Sequence, residues 1–403
     1  MLRSLALLAV LLVFVGVLYA AHAYLAVRLV FDAGLGEPWR SAAVAAIAAL
    51  GLSLVLQPAA ERFLPAQRMR WLAWPAALWM GFLFLAFNLL LASDLLLWFT
   101  GSPATAAVAG GSAPAAGGLR AAGVLLVALL LCGVALREGT KPPRLVREEY
   151  EIERWPRALD GFRIVQLSDV HIGPLLDRRF ARHLVERVNA LEPDLVVVTG
   201  DLVDGRADHL EEEVAPLADL RAKHGVYFVT GNHDHLSGAP SWVETVERLG
   251  MTALRNRHVA VGDADAGFDL IGVDDHRGGV IGGGGEDLDA ALAGRDPERP
   301  GVLLAHDPTT FRRARREPVD LQLSGHTHGG QIWPFRYLVR LAVPWVDGRH
   351  REGRVQLYVS RGTGFWGPPM RLLAPAEITE HTLRAPVATA LQRDSGNGTV
   401  ARP

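Results

Sequence analysis

One cysteine, Cys132, stands in 403 residues, so no intrachain disulfide can form, which fits a reducing compartment. Charge of one sign is also missing: the formal net charge is -2, and no broad basic field marks the chain for nucleic acid. The common signatures of covalent and nucleotide chemistry are absent as well. There is no G-x-S-x-G nucleophile turn and no H-E-x-x-H helix. The glycine-rich stretch from Gly278 to Gly285 lacks the Lys-Ser or Lys-Thr of a phosphate-binding loop and reads as a mobile surface loop. Gly362-Thr-Gly-Phe-Trp-Gly367 has dinucleotide-type spacing, but Pro368-Pro369 follows it where that fold needs a helix.

Charge is scarce above all in the first third. Residues 4–27, 41–60, 71–93 and 121–136 contain no Asp, Glu, Lys or Arg. A span needs roughly 20 apolar residues, which the first three supply; the fourth is shorter, with Arg120 and Arg137 placed to snorkel. Residues 1–136 therefore read as four transmembrane helices, with no intramembrane carboxylate to suggest transport. His22 and Asn88 are expected to hydrogen-bond between helices, and Trp71, Trp74 and Trp79 to anchor an interface. With both ends inside, the inner segments carry eight basic residues near the spans against Arg28, Arg40 and Arg120 outside. This places a multi-pass protein in the cell inner membrane with its C-terminal domain in the cytoplasm. Ala21-His22-Ala23 resembles a signal-peptidase site, and cleavage there leaves the same location for that domain. The outer stretch Gly101 to Gly118 reads as a flexible linker, residues 137–150 as a basic juxtamembrane linker, and 386–403 as a disordered tail.

Between these lies a different pattern, from residue 151 to 385. Short apolar runs alternate with amphipathic segments, as in βαβ units, so the fold class is α/β. Polar residues gather where the apolar runs end, the place where open α/β sheets put their sites. The run ending at Leu167 is followed by Asp169 and His171, and that ending at Thr199 by Asp201. Asn232, His233 and Asp234 follow Thr230, and His306 follows Ala305. Leu323-Ser-Gly-His-Thr-His-Gly-Gly-Gln331 closes the series, and on an extended backbone His326 and His328 point to one face. Imidazole, carboxylate and amide oxygen together suit Mn, Fe or Zn.

The set D-x-H, G-D, G-N-H-D, H and G-H-x-H resembles the calcineurin-like metallophosphoesterases, over roughly residues 150 to 385. Arg361-Gly-Thr-Gly-Phe-Trp-Gly-Pro-Pro-Met-Arg371 is similar to a membrane-attached bacterial subgroup, although Pro375-Ala-Glu-Ile stands where Pro-Glu-Ile is expected. The resemblance implies a sandwich of two mixed sheets flanked by helices, holding two divalent metal ions. It implies Asp169, His171 and His328 on the first, Asn232, His306 and His326 on the second, and Asp201 bridging. It further implies that His233 contacts the phosphate and protonates the leaving group, with Asp234 a candidate to orient it. Arg371 is a candidate for holding phosphate, and Trp333, Phe365 and Trp366 for an apolar mouth. The expected activity is a phosphohydrolase acting on a phosphoester or pyrophosphate, including a lipid-linked substrate such as UDP-acyl-glucosamine. Soluble nucleotides or phosphoproteins are the alternative substrates, and an inactive receptor or scaffold is the alternative function.

Overall fold

The computed structural model describes residues 2–100, 114–263, 266–281 and 284–386. Most of the Gly101–Gly118 linker and the tail from residue 387 lie outside them. Four N-terminal helices, α1 (Leu2–Ala26), α2 (Trp39–Phe63), α3 (Ala66–Phe99) and α4 (Pro114–Gly139), are long and apolar enough to cross a membrane. They run through the charges that seemed to bound the spans. Asp94 lies inside α3 and Arg120 inside α4, which corrects the expectation of no carboxylate in a span. The charges are tolerable because they compensate one another: Arg28 pairs with Asp32 at 2.8 Å and with Asp94 at 2.9 Å, and Arg120 also pairs with Asp94. His22 joins helices as expected, accepting from Trp79 Nε1 at 2.9 Å. Asn88 does not; it donates to Phe84 of its own helix.

Only residues 140–143 separate α4 from the first strand, because half of the expected linker is strand β1 (Arg144–Glu151) and its first residues still belong to α4. Its charged side chains disguise it. On this edge strand only Tyr150 is buried, and the rest of the strand is held by parallel pairing with β12 (Glu377–Arg384). The chain continues through β2 (Phe162–Leu167), α5 (Arg178–Asn189), β3 (Leu195–Thr199), α6 (Ala207–Val214), β4 (Val226–Val229), α7 (Asn232–Leu236), α8 (Ala239–Arg248) and β5 (Thr252–Ala253). Then come β6 (Arg257–Gly262), β7 (Gly267–Gly272), α9 (Gly278–Ile281), α10 (Leu288–Leu292), β8 (Gly301–Leu304), α11 (Phe311–Ala314), β9 (Leu321–Ser324), α12 (Arg336–Ala342), β10 (Gly348–Glu352) and β11 (Val355–Val359). The glycine-rich loop thus contains a short helix, α9, rather than only irregular chain.

Two six-stranded mixed sheets result, in the orders β1-β12-β2-β3-β4-β5 and β10-β11-β9-β8-β7-β6. Ile164, Leu195 and Val197 of one meet Phe268, Val302 and Leu304 of the other to form the inner core. β3 reads Leu-Val-Val-Val-Thr and is buried along its whole length, as a central parallel strand covered on both faces must be. Its outer face is covered by helices such as α5, which Asp177 caps and which buries Ala181, Leu184, Val185 and Val188, one helical stripe. The start of α3 belongs to this layer too: Ala66 packs in the same cluster, and Arg70 pairs with Asp177 at 2.9 Å.

Candidate metal centre

Five loops leave the carboxyl ends of β2, β3, β4, β8 and β9 and converge at one rim of the sandwich. Their backbones are unusual. Asp169, His171, Asp201, His326 and His328 all have positive φ, between 50° and 72°. Left-handed conformations cost non-glycine residues energy and persist where the surroundings hold them, which is characteristic of functional sites. Neighbouring glycines give the loops room. A Cβ on Gly200 would stand 2.6 Å from His306 Nδ1, and one on Gly325 would run into Ser168 and Asp169.

Two clusters form. In the first, His328 Nε2 lies 3.3 Å from Asp169 Oδ1 and 3.1 Å from His171 Nε2. In the second, His306 Nε2 lies 3.1 Å from Asp201 Oδ2 and 3.3 Å from His326 Nδ1. Asp201 Oδ2 is also 4.0 Å from His171 Nε2, so one carboxylate stands between the clusters. His326 and His328 therefore do not share a face as an extended strand would require. They lie beyond the end of β9, and their positive φ angles send one ring to each cluster.

The second nitrogen of two rings is already committed. His306 Nδ1 donates to the Thr199 carbonyl at 2.8 Å, and His171 Nδ1 lies 3.0 Å from Asp204 Oδ1. This turns each Nε2 toward its cluster, the arrangement metal-ligating histidines use. Asn232 Oδ1 is buried without a hydrogen-bond partner, although buried carbonyls normally have one. Charge points the same way. Burial pushes the Asp201 carboxyl up, but His306 and His233 override it and hold it well below its usual range. Burial pushes His306 down, yet Asp201 and Asp169 hold it well above an ordinary histidine. Burial, with His171 and Arg371 nearby, keeps His328 well below. The clusters thus combine imidazoles with carboxylates that attract positive charge, and the donor set fits divalent cations.

His233 stands at the rim, with its ring 4.8 Å from that of His171. Its Nδ1 lies 2.8 Å from Asp204 Oδ1, and not against Asp234. Asp234 is fully buried and accepts from the backbone N–H groups of Leu202, Val203 and Gly231, so it ties two loops together and does not orient His233. Asp204 has that position, touching both His171 and His233. Its signal in the sequence is the spacing Gly200-Asp-Leu-Val-Asp204, in which a second carboxylate follows Asp201 by three residues. Burial pushes His233 down, but Asp204 and Asp201 raise it to about 9, so it carries a proton at neutral pH.

Arg371 is also not where expected. It is completely buried behind His328. Its guanidinium donates to the carbonyls of Gly364 at 2.6 Å and Ala374 at 2.8 Å and lies 3.3 Å from His328 Nδ1, so it cannot reach a substrate phosphate. Arg361 pairs with Asp347 and Glu377. Nearby, Asp274 pairs with Arg255, and His276 lies 3.8 Å from Asp307, which also faces His326 at 3.7 Å.

Residues 162–330, which carry all five loops, match the calcineurin-like phosphoesterase family. A metallophosphoesterase of Aquifex aeolicus is 33% identical over 246 residues, covering 60% of this chain and 92% of that one. One from Bacillus subtilis is 32% identical over 238 residues, covering 57% and 82%. The chain therefore belongs to the metallophosphoesterases, and its four apolar helices make it a membrane protein. A transmembrane protein with a metallophosphoesterase domain from Bos taurus is 39% identical over 279 residues, 66% of this chain. The match spans 63% of that relative's own length, less than two thirds.

Proposed function

We propose that the chain is a metal-dependent phosphohydrolase working at a membrane surface. The observation that carries this is the pair of side-chain clusters with Asp201 standing between them, and the His233 imidazole held at their rim by Asp204. Asp169, His171 and His328 would hold one divalent ion, Asn232, His306 and His326 a second, with Asp201 common to both. Such ions supply positive charge and Lewis acidity to a phosphate group. Asp204 accepts from His233 Nδ1, which fixes the ring and leaves Nε2–H as its second donor. His233 then gives that proton to the oxygen departing from phosphorus as water takes its place, which is general acid catalysis. No covalent intermediate on the protein is needed. Hydrolysis of bis-p-nitrophenyl phosphate by the full chain in detergent, with and without Mn, tests the reading; absence of metal-dependent turnover would end it.

For the substrate, the reading is a lipid-linked pyrophosphate such as a UDP-acyl-glucosamine, presented from the cytoplasmic side of the cell membrane. The half-exposed Trp366 ring, 5.7 Å from the ring of His233, supports an apolar border for an acyl chain. Turnover of the lipid is compared with that of its deacylated headgroup. Equal efficiency on both would favour soluble nucleotides instead. A reporter fused after Pro403 tests the orientation.

A further inference from the structure

The apolar side chains that the phosphoesterase domain leaves exposed are concentrated beside the metal clusters. α12 follows the ligand loop and buries none of its residues, and Leu338 and Leu341 occupy one side of it. Trp333, Phe335, Trp366 and Leu373 extend the same surface, and Leu341 and Leu373 are 84% and 73% exposed. In a soluble protein such a surface would invite association.

Its level against the spans indicates what covers it. The loops that bear it are wedged onto the membrane helices. Ile332, Met370 and Leu372 cluster with Leu85 of α3 and with Leu131, Cys132 and Ala135 of α4. The Arg371 N–H donates to the Ala135 carbonyl at 2.9 Å, and the Phe335 ring meets Phe84 edge-on at 6.0 Å. Arg137 is the basic residue closing the fourth span. Ala135 and Leu131 precede it by two and six residues, so at 1.5 Å per residue they lie about 3 and 9 Å deeper along the helix. At that level four membrane-crossing helices would be surrounded by acyl chains, as would the outward faces of the same loops.

We propose that α12, with Trp333, Phe335, Trp366 and Leu373, is immersed in the acyl region of the leaflet on the phosphoesterase side, so that the ligand clusters open at that leaflet's surface. Exposed Arg340 on α12 would meet lipid headgroups. The proposal concerns the bilayer and stands whether or not the chain hydrolyses anything.

It is tested on the full chain in phosphatidylcholine–phosphatidylglycerol vesicles, in a Cys132→Ser background. Single cysteines Leu341→Cys and Leu373→Cys carry an environment-sensitive fluorophore, and Glu298→Cys serves as control. Glu298 is exposed and precedes β8 at the end of the sandwich opposite its ligand. Since all three side chains are exposed, labelling leaves the core intact. The expected result is blue-shifted emission at 341 and 373, quenched at least twofold by lipids spin-labelled on the acyl chain, with no quenching at 298. Emission at 341 and 373 as insensitive as at 298 would overturn the proposal. A blue shift without lipid quenching would also overturn it and assign the surface to another copy of the chain.

Discussion

At the scale of single side chains, Asp204 lies 2.8 Å from His233 Nδ1, and the roles proposed for the two are separable by experiment. With His233 as the proposed proton donor and not a ligand, His233→Ala should keep bound metal while kcat falls about 100-fold or more; loss of metal in that variant would make His233 a ligand instead. Asp204→Asn acts through His233. The Asp204 carboxylate is the largest influence holding the proton on His233 to about 9, and with it gone, burial pushes the imidazole toward or below the ordinary value near 6.5. The acid form is then lost at lower pH, so the alkaline limb of the kcat/KM profile should move to lower pH by about one unit or more. An unmoved limb would separate Asp204 from proton transfer. Arg371 calls for the opposite signature. Arg371→Met leaves buried carbonyls at Gly364 and Ala374 without donors, at about 1–3 kcal/mol. It should lower Tm and weaken metal binding through His328 while KM stays near its original value. A raised KM at unchanged Tm would return Arg371 to the substrate.

Strands and loops show why the site was legible and parts of the fold were not. The candidate ligands follow short apolar runs such as Leu195–Thr199, and a fully buried strand announces itself in sequence, so five candidate loop positions could be read at once. β1 and β12 could not. They read Arg-Leu-Val-Arg-Glu-Glu-Tyr-Glu and Glu-Ile-Thr-Glu-His-Thr-Leu-Arg, and pairing makes them strands: Arg144 with Glu377 through Glu151 with Arg384, and β12 with β2 on its other side. Asp234 and Asp204 show the same limit within the site. Both follow an expected ligand closely, and only the turn of each loop decides which carboxylate faces His233. That turn depends on backbone that side-chain patterns do not report. Gly325 is the sharpest case. A methyl group there would collide with Ser168 and Asp169, whose carboxylate accepts from the His326 N–H at 3.0 Å. Gly325→Ala should therefore reduce Mn binding at least tenfold, measured by calorimetry, because relaxing the clash moves a ligand from each cluster. Unchanged affinity would show that the two loops can separate without cost.

The membrane helices and the phosphoesterase domain form one body in the whole molecule. Ala66 sits in the core beneath the first sheet, Met69 is fully buried, and Gln67 reaches Glu213 at 3.2 Å. From the other side, Met370 and Ile332 are buried against α3 and α4. Gly139 marks how close the approach is: a Cβ there would stand 2.6 Å from the Pro369 carbonyl and 2.9 Å from Met370 Cα. A fragment beginning at residue 140 would thus lose a packing partner. Re-exposing Met370 and Ile332 alone costs about 1.5–3 kcal/mol each. At roughly 2–4 °C per kcal/mol for a domain of this size, the fragment's Tm should fall on the order of 10 °C below that of the phosphoesterase domain in the full chain. The loops released in this way are those carrying Gln331 and Trp366, next to the ligands, and Gln331 donates to the Trp366 carbonyl at 2.8 Å. The fragment should consequently bind Mn more weakly as well as melt earlier, both measured on matched samples in one detergent. A fragment with the melting point and metal affinity of the full chain would mean that the spans only tether the domain. The predicted drop in both would mean that the bundle helps to hold the metal centre in shape.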